Sequence, residues 1–414
     1  MSLRSLRLMT AGESHGPMLV SILEGLPAGI PVDMEAIDAD LKRRMGGYGR
    51  GKRMKIENDR ARVVGGVRHG QTLGSPIAFL IENKDWPNWE HVMGVEAPSD
   101  TEAGTAGGSV AESGDTPAAS VDARRVSRPR PGHADLAGGL KYNRSDLRDI
   151  LERASARETA SRVAAGGFCK QLLAALDIEI ASHVIRIGGA VLETPAVDFD
   201  TIRDTADGSP VRCVDDDAGR SMIAAIDEAT DNLDTLGGVF EVAARNIPVG
   251  LGSHVQWDRK LDARIAHAMV SIPAQKAVEI GDGIWAASQP GSAVHDAITF
   301  DAVNRVYERP TNRAGGTEGG VTYGGELRVR VYMKPLSTLR RPLASVDIDT
   351  GEAIEAVVQR TDTCAVPAAA VIGEAMLALV LADACMEKFG GDSLVETQRN
   401  WRGFLEQIRE FPPR

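Results

Sequence analysis

Two histidines sit in glycine turns, and each has neighbours suited to proton transfer. His15 stands in "TAGESHGPM" (Thr10 to Met18), next to Ser14 and among small residues, directly after the alternating start "LRLM". His133 stands in "RPRPGHAD" (Arg128 to Asp135), where Pro129 and Pro131 stiffen the backbone and Arg128 and Arg130 bring positive charge. Imidazole is the side chain that most readily serves as acid or base near neutrality. On pattern alone, a hydrogen-bonded turn histidine and an exposed basic turn fit these stretches equally well. Gly12 to Gly16 also matches G-x-S-x-G, the nucleophile elbow of α/β-hydrolases, but that elbow follows a parallel sheet, and only eleven residues precede Gly12.

A second group of residues is suited to anions. "RRMGGYGRGKRMK" (Arg43 to Lys55) mounts Arg44, Arg50 and Arg53 on glycine. Its Gly46 to Lys52 portion has P-loop spacing, yet Arg53 stands where a P-loop needs Ser or Thr, and a helical pattern precedes it in place of a strand. Glycine lets a backbone approach an anion closely. "ERASARE" (Glu152 to Glu158) sets Arg153 and Arg157 four apart, on one face if the segment is helical. "NRAGGTEGG" (Asn312 to Gly320) and "KPLST" (Lys334 to Thr338) add a glycine loop, a lysine and two hydroxyls. "RTDTC" (Arg360 to Cys364) places Asp362 among small polar residues.

The elements that must position these side chains are legible in part. Met34, Ile37 and Leu41 recur at helical spacing, so a helix ends at the glycines of the basic loop. Leu151 to Leu176 reads as one helix of good helix formers. "ELRVRVYMK" (Glu326 to Lys334) alternates as a half-buried strand. Ala365 to Cys385 is the longest apolar stretch, but it contains Glu374 and Asp383. It is therefore expected as a buried helix and not as a membrane span, which needs about 20 residues with few or no charges. Glu96 to Ala123, rich in Gly, Ala, Ser and acidic residues, is expected as a long mobile surface loop. Helices and strands mix without βα alternation, which favours an α+β fold with antiparallel sheets.

Bulk properties exclude several classes. Lys and Arg number 47 against 58 Asp and Glu, for a net charge of −11, and aromatics are 4% of residues, so nucleic acid is not the expected partner. Four scattered cysteines and no His/Cys cluster at ligand spacing argue against disulfides and against a metal. "MSLRSLRLMTAGES" lacks the apolar core of a secretory signal, and a cytoplasmic protein is expected.

Taken together, "AGESHG", "RRMGGYGRGKRMKIE", "GVRHGQTLGSPIA", "RPRPGHAD", "LERASARETA", "VEIGDG", "NRAGGTEGG", "KPLST" and "RTDTC" resemble, in order and over nearly the whole chain, the chorismate synthase family. The resemblance implies a single domain over residues 1–414, a β-α-β sandwich with antiparallel sheets around a central helical layer, and a homotetramer. It implies conversion of 5-enolpyruvylshikimate 3-phosphate to chorismate by anti 1,4-elimination, with reduced FMN and no net redox change. By the same resemblance His15, His133 and Asp362 are the proton-handling residues: His15 protonates departing phosphate, His133 sits against the flavin pyrimidine, and Asp362 works at flavin N5 as the C6 proton leaves. Arg44, Arg50, Arg53, Arg130, Arg157 and Arg360 match substrate-site arginines. Flavin contacts fall on Arg153, Ala154, Ser155, Pro273, Ala274, Gly319, Lys334, Pro335, Leu336, Ser337, Thr338 and Arg360. Many relatives have a polar residue where Pro273 precedes Ala274. Arg44 and Arg50 also match positions given to NADPH, a possible reductant. A binding protein that had lost the chemistry could do without His15 or Asp362, and both are present.

Overall fold

The computed structural model describes residues 5–51, 59–96, 125–193, 196–357 and 362–411. Arg53, Arg360 and all of the expected 96–123 loop except Glu96 lie outside the described residues.

Strands β1 (Arg7–Ala11) and β2 (Met18–Glu24) form a hairpin around the first histidine turn. Helix α1 (Met34–Met45) follows, capped by Asp33, whose carboxylate accepts from the amides of Glu35 and Ala36. Strands β3 (Arg62–Gly65) and β4 (Ile77–Glu82) complete an antiparallel sheet in the order β1-β2-β4-β3. Leu19, Ser21, Leu23, Ile77, Phe79 and Ile81 alternate onto its buried face, as period-two strands require.

Helices α2 (Asp135–Tyr142), α3 (Arg148–Arg153) and α4 (Thr159–Ala174) come next. A second antiparallel sheet contains β5 (Glu179–Ile187), β6 (Ala190–Val191), β7 (Gly238–Arg245), β8 (Gln275–Ile280) and β9 (Leu327–Met333), ordered β8-β9-β7-β5-β6. Between the sheets, or at their edges, run α5 (Asp216–Asp231), α6 (Leu261–Val270), α7 (Val366–Phe389) and α8 (Leu394–Arg409).

Close approach explains the composition of the middle layer. A Cβ on Gly166 of α4 would lie 2.5 Å from the Ala375 side chain of α7, and one on Gly373 of α7 would lie 2.6 Å from the Phe240 ring of β7. Phe168 on the other side of α4 meets Phe79 of the first sheet at 5.6 Å between centroids. Helix α7 is thus apolar all round because it is buried all round, with the second sheet on one side and α4 on the other.

The two acids in α7 are paired. Glu374 accepts from both Nη atoms of Arg43 at 2.8 Å, from Lys170 at 2.8 Å and from Ser182 at 2.6 Å, tying α1, α4 and β5 to α7. Burial pushes its carboxyl up, but Lys170, Arg43 and Arg212 outweigh that and hold it well below the ordinary range. Asp383 accepts from the backbone amides of Ser5 and Leu6 at 2.8 Å and pairs with Arg264, which anchors the start of β1.

The expected α1, the 326–334 strand and the buried 365–385 helix all form. The expected helix over 151–176 does not form as one piece. α3 ends at Arg153, Ser155 turns extended and accepts from the Arg157 amide, a single 3-10 turn covers Ala156–Glu158, and α4 starts at Thr159. Arg153 and Arg157 are consequently not neighbours on one helical face. Tertiary partners for both arginines override the helix propensity of the segment.

Candidate active site

The first histidine centre is built where the β1–β2 turn meets α3. Glu152, fully buried on α3, meets His15 twice through Oε2: it accepts from the backbone amide at 3.0 Å and lies 2.7 Å from Nδ1. Its carbonyl also accepts from the Ser14 amide at 3.0 Å. One turn earlier, Arg148 donates to the other carboxylate oxygen at 3.1 Å. Trp89 stacks on the His15 ring at 3.8 Å, and the Arg148 guanidinium lies over Trp89. Burial pushes Glu152 up, yet the hydrogen bonds and charge of His15 and Arg148 prevail and hold it below its ordinary value. Arg153 donates to the carbonyls of Gly12 and Thr10 and to the Thr10 hydroxyl, so it supports the same turn. Gly12 is required there: its φ is +101°, and a Cβ would lie 2.4 Å from the Met18 carbonyl oxygen.

The second centre gathers three distant segments. His133 Nδ1 lies 2.5 Å from Asp135, a fully buried acid at the start of α2. Asp135 also accepts from the Arg130 amide and, at 2.9 Å, from its guanidinium. Arg130 donates on to Thr338 at 2.8 Å, and the Lys334 amine donates to the Gly132 carbonyl. The Lys334 amide donates to the carbonyl of Ala274, whose φ of +69° is unusual for a residue with a side chain. Ser337 flanks Gly132, and the Leu336 carbonyl is held by Thr235. Burial raises the Asp135 carboxyl, but His133 and Arg130 overcome it and hold it well below the ordinary range. Burial, and secondarily Lys276, lower the Lys334 ammonium.

Two arginine pairs flank these centres. Asp59, buried, accepts from Arg157 at 2.6 Å and lies 3.5 Å from Arg44, while Arg44 also donates to Thr159 and the Ala156 carbonyl. Both guanidinium groups are nearly inaccessible. Arg50 meets Asp362 at 2.8 Å, and the Gly51 amide donates to the same carboxylate. The glycines let this basic loop dock on the 362–364 segment: Gly49 has φ +85°, and a Cβ there would lie 2.9 Å from Ile226.

The structure therefore joins His15 with Arg153, Arg44 with Arg157, Arg50 with Asp362, and Arg130 and His133 with Pro273–Ala274 and Lys334–Thr338. Ala154 and Ser155 form the link between the first centre and the Arg157 pair. Gly319 sits apart, at the tip of a hairpin over residues 317–322 beside His254 and Lys260, and no hydrogen bond among the described residues ties it to either histidine. Arg53 and Arg360 lie outside the described residues. Sequence reasoning missed Glu152, Arg148, Trp89, Asp59 and the role of Asp135. The i,i+4 pair Arg148/Glu152 and the i,i+2 pair His133/Asp135 were detectable signals; Trp89 and Asp59 offered none.

Comparison with known proteins identifies the family of the chain. A family model described as chorismate synthase matches residues 6–386. The chain is 56% identical to the chorismate synthase of Symbiobacterium thermophilum over 404 residues, covering 97% of this chain and 99% of that one. It is 54% identical to that of Desulforudis audaxviator, with 98% of each covered. A solved structure entitled "Crystal Structure of Chorismate Synthase" superposes with a TM-score of 0.76 at 40% identity, covering 99% of this chain and 100% of that one. An α+β enzyme of the lyase class is thereby defined. The chain belongs to the chorismate synthase family.

Proposed function

We propose that this chain converts 5-enolpyruvylshikimate 3-phosphate to chorismate by an anti 1,4-elimination, using reduced FMN without net redox change. The observation that carries the reading is the pair of histidines, each held at Nδ1 by a buried carboxylate and set among paired arginines. The substrate has two carboxylates and a phosphate, and guanidinium forks recognise such groups in a bidentate manner.

In this reading Arg44, Arg50, Arg130 and Arg157, with Arg53 and Arg360, bind the substrate anions. Asp59, Asp135 and Asp362 fix the planes of four of those guanidinium groups. His15 gives a proton to the phosphate as the C3–O bond breaks and its electron pair leaves with oxygen. Asp362, aligned by Arg50 and the Gly51 amide, would take up the C6 proton together with the N5 edge of a bound flavin, while the C6–H electron pair becomes part of the new ring double bond. Loss of phosphate and proton leaves the second ring double bond of chorismate.

The residues fit an anionic flavin. Gly132, at φ +81°, has Lys334 Nζ only 3.2 Å from where a Cβ would sit, and Arg130, His133 and Thr338 supply further polar atoms around this backbone cradle. Arg153, Ala154, Ser155, Pro273, Ala274, Gly319, Lys334 to Thr338 and Arg360 are the residues that would hold FMN. When bound there, reduced FMN would supply transient electron density for loss of phosphate without net oxidation. His133 keeps the protonation state of its pyrimidine edge. NADPH, taken at Arg44 and Arg50, would serve as reductant in a self-sufficient enzyme. A cytoplasmic homotetramer is proposed, supported by the exposed Met9, Val20, Ile22 and Val64 of the first sheet, an apolar set that a second copy would cover.

The test is an anaerobic assay with chemically reduced FMN, following chorismate and inorganic phosphate together. Equal amounts of both products are expected; no product with reduced FMN present would overturn the reading. Repeating it with oxidised FMN plus NADPH decides the reductant.

A further inference from the structure

We propose that Glu152 is the positioning residue of the elimination: it keeps a proton on Nδ1 and fixes the ring plane of His15, so that Nε2 is the nitrogen through which the imidazolium delivers its proton. This inference rests on the role given to His15 above.

Three observations converge on the carboxylate. One oxygen accepts from the backbone amide of His15 at 3.0 Å and lies 2.7 Å from its Nδ1. The other accepts from Arg148, so the carboxylate is engaged on both oxygens by donors alone. Glu152 is 1% exposed, which removes water as an alternative partner. A buried ionised acid facing Nδ1 requires a proton on that nitrogen, since a bare Nδ1 would set two lone pairs against each other. Trp89 fixes the remaining freedom, rotation about χ2, by stacking on the ring, and Asp85 holds Trp89 through its indole N–H at 3.0 Å.

The imidazolium carries one proton on each nitrogen. Nε2–H passes to the phosphate oxygen as the C3–O bond breaks, and the neutral ring keeps Nδ1–H, still donated to Glu152. The carboxylate stays ionised throughout, which agrees with its lowered carboxyl range. It touches neither substrate nor cofactor in this account and acts only through His15.

Glutamine at this position is the informative variant because it has the same size and one acceptor fewer. With its oxygen toward His15, its NH₂ faces the Arg148 guanidinium. With its oxygen toward Arg148, its NH₂ faces the His15 amide and Nδ1. The charged donor makes the stronger demand on the oxygen, so the ring is expected to switch to the Nε2–H tautomer and accept at Nδ1. A ring that accepts at Nδ1 is no longer supported as the imidazolium that donates from Nε2, so kcat should fall by about 10²-fold or more, by analogy with other histidines deprived of an orienting carboxylate.

The experiment combines ¹⁵N NMR of histidine-labelled enzyme with single-turnover phosphate release under anaerobic, reduced-FMN conditions. In the unmodified enzyme the His15 signal, assigned by its loss in His15→Ala, should report a protonated Nδ1 in the imidazolium and in the neutral ring alike; a neutral ring protonated at Nε2 alone overturns the proposal without any need for a Glu152 variant to fold. Glu152→Gln should lower kcat with KM changed less than about threefold, as expected for a group acting only in the chemical step. Unchanged kcat contradicts it. In a His15→Ala background the same substitution should slow nothing further, whereas an additional loss of similar size would assign Glu152 a merely structural role. If His15→Ala alone turns over at the full rate, the role of His15 falls, and the tautomer of the unmodified enzyme still decides whether Glu152 sets it.

Discussion

The two histidine centres use the same local chemistry and opposite routes to it. His133 is held by Asp135, two residues along its own turn, and that acid spends its remaining capacity on the amide and guanidinium of Arg130. His15 is held by an acid 137 residues away, and Glu152 grips the backbone of the β1–β2 turn as well as the ring. One centre is assembled by a turn and then decorated by the strand end Lys334–Thr338. The other exists only when the first sheet and α3 have docked. Local assembly makes the second centre depend on one turn and the strand end that covers it; docked assembly makes the first depend on the packing of the first sheet against α3.

The contrast can be broken most forcefully at His15. His15→Ala is expected to slow phosphate departure by about 10²–10⁴-fold in single turnover, the range for loss of a general acid. The corresponding Asp362→Asn should instead slow C6–H cleavage, so a deuterium label at C6 should show a larger isotope effect in Asp362→Asn and a smaller one in His15→Ala. Next in size is Asp59→Ala. It removes the acid shared by Arg157 and Arg44 and leaves buried guanidinium charge uncompensated, which should cost about 3–5 kcal/mol in a chemical-denaturation midpoint. An unchanged midpoint would mean that the pair is not a folding determinant.

Arg50→Lys keeps charge but loses the fork, and should weaken substrate binding by roughly 1–3 kcal/mol in a titration while leaving the melting temperature nearly unchanged. The smallest effect distinguishes the two carboxylates by pH. Both have folded-state values depressed below the unfolded ones, so each contributes stability that is present above the ordinary carboxylate range and lost as pH falls through the folded value. Asp135 is depressed more deeply, so Asp135→Asn should flatten the acid limb of stability against pH more than Glu152→Gln does.

How much of this was readable in the chain follows the same division. The turn stretches "TAGESHGPM" and "RPRPGHAD" marked both histidines, because glycine, proline and charge leave local signatures. The strand at 327–333 and helix α7 were legible through periodicity and length. What stayed hidden were partners brought together by docking: Glu152 for His15, Asp59 for Arg44 and Arg157, and Trp89 under the ring. The break at Ser155 was hidden for the same reason, since Ala, Arg and Glu favour helix locally while Asp59 and the Thr10–Gly12 turn draw the two arginines apart. The family resemblance supplied His15, Asp362 and the arginines as candidates, but not the acids that orient them.

The division of labour between the centres is most directly tested by titrating reduced FMN, without substrate and under anaerobic conditions, into His133→Asn and His15→Ala. Asparagine keeps a donor for Asp135, so the fold of the second centre should survive. The account predicts weaker reduced-FMN binding in His133→Asn and unaltered binding in His15→Ala; equal weakening in both, or weakening in His15→Ala alone, would contradict it.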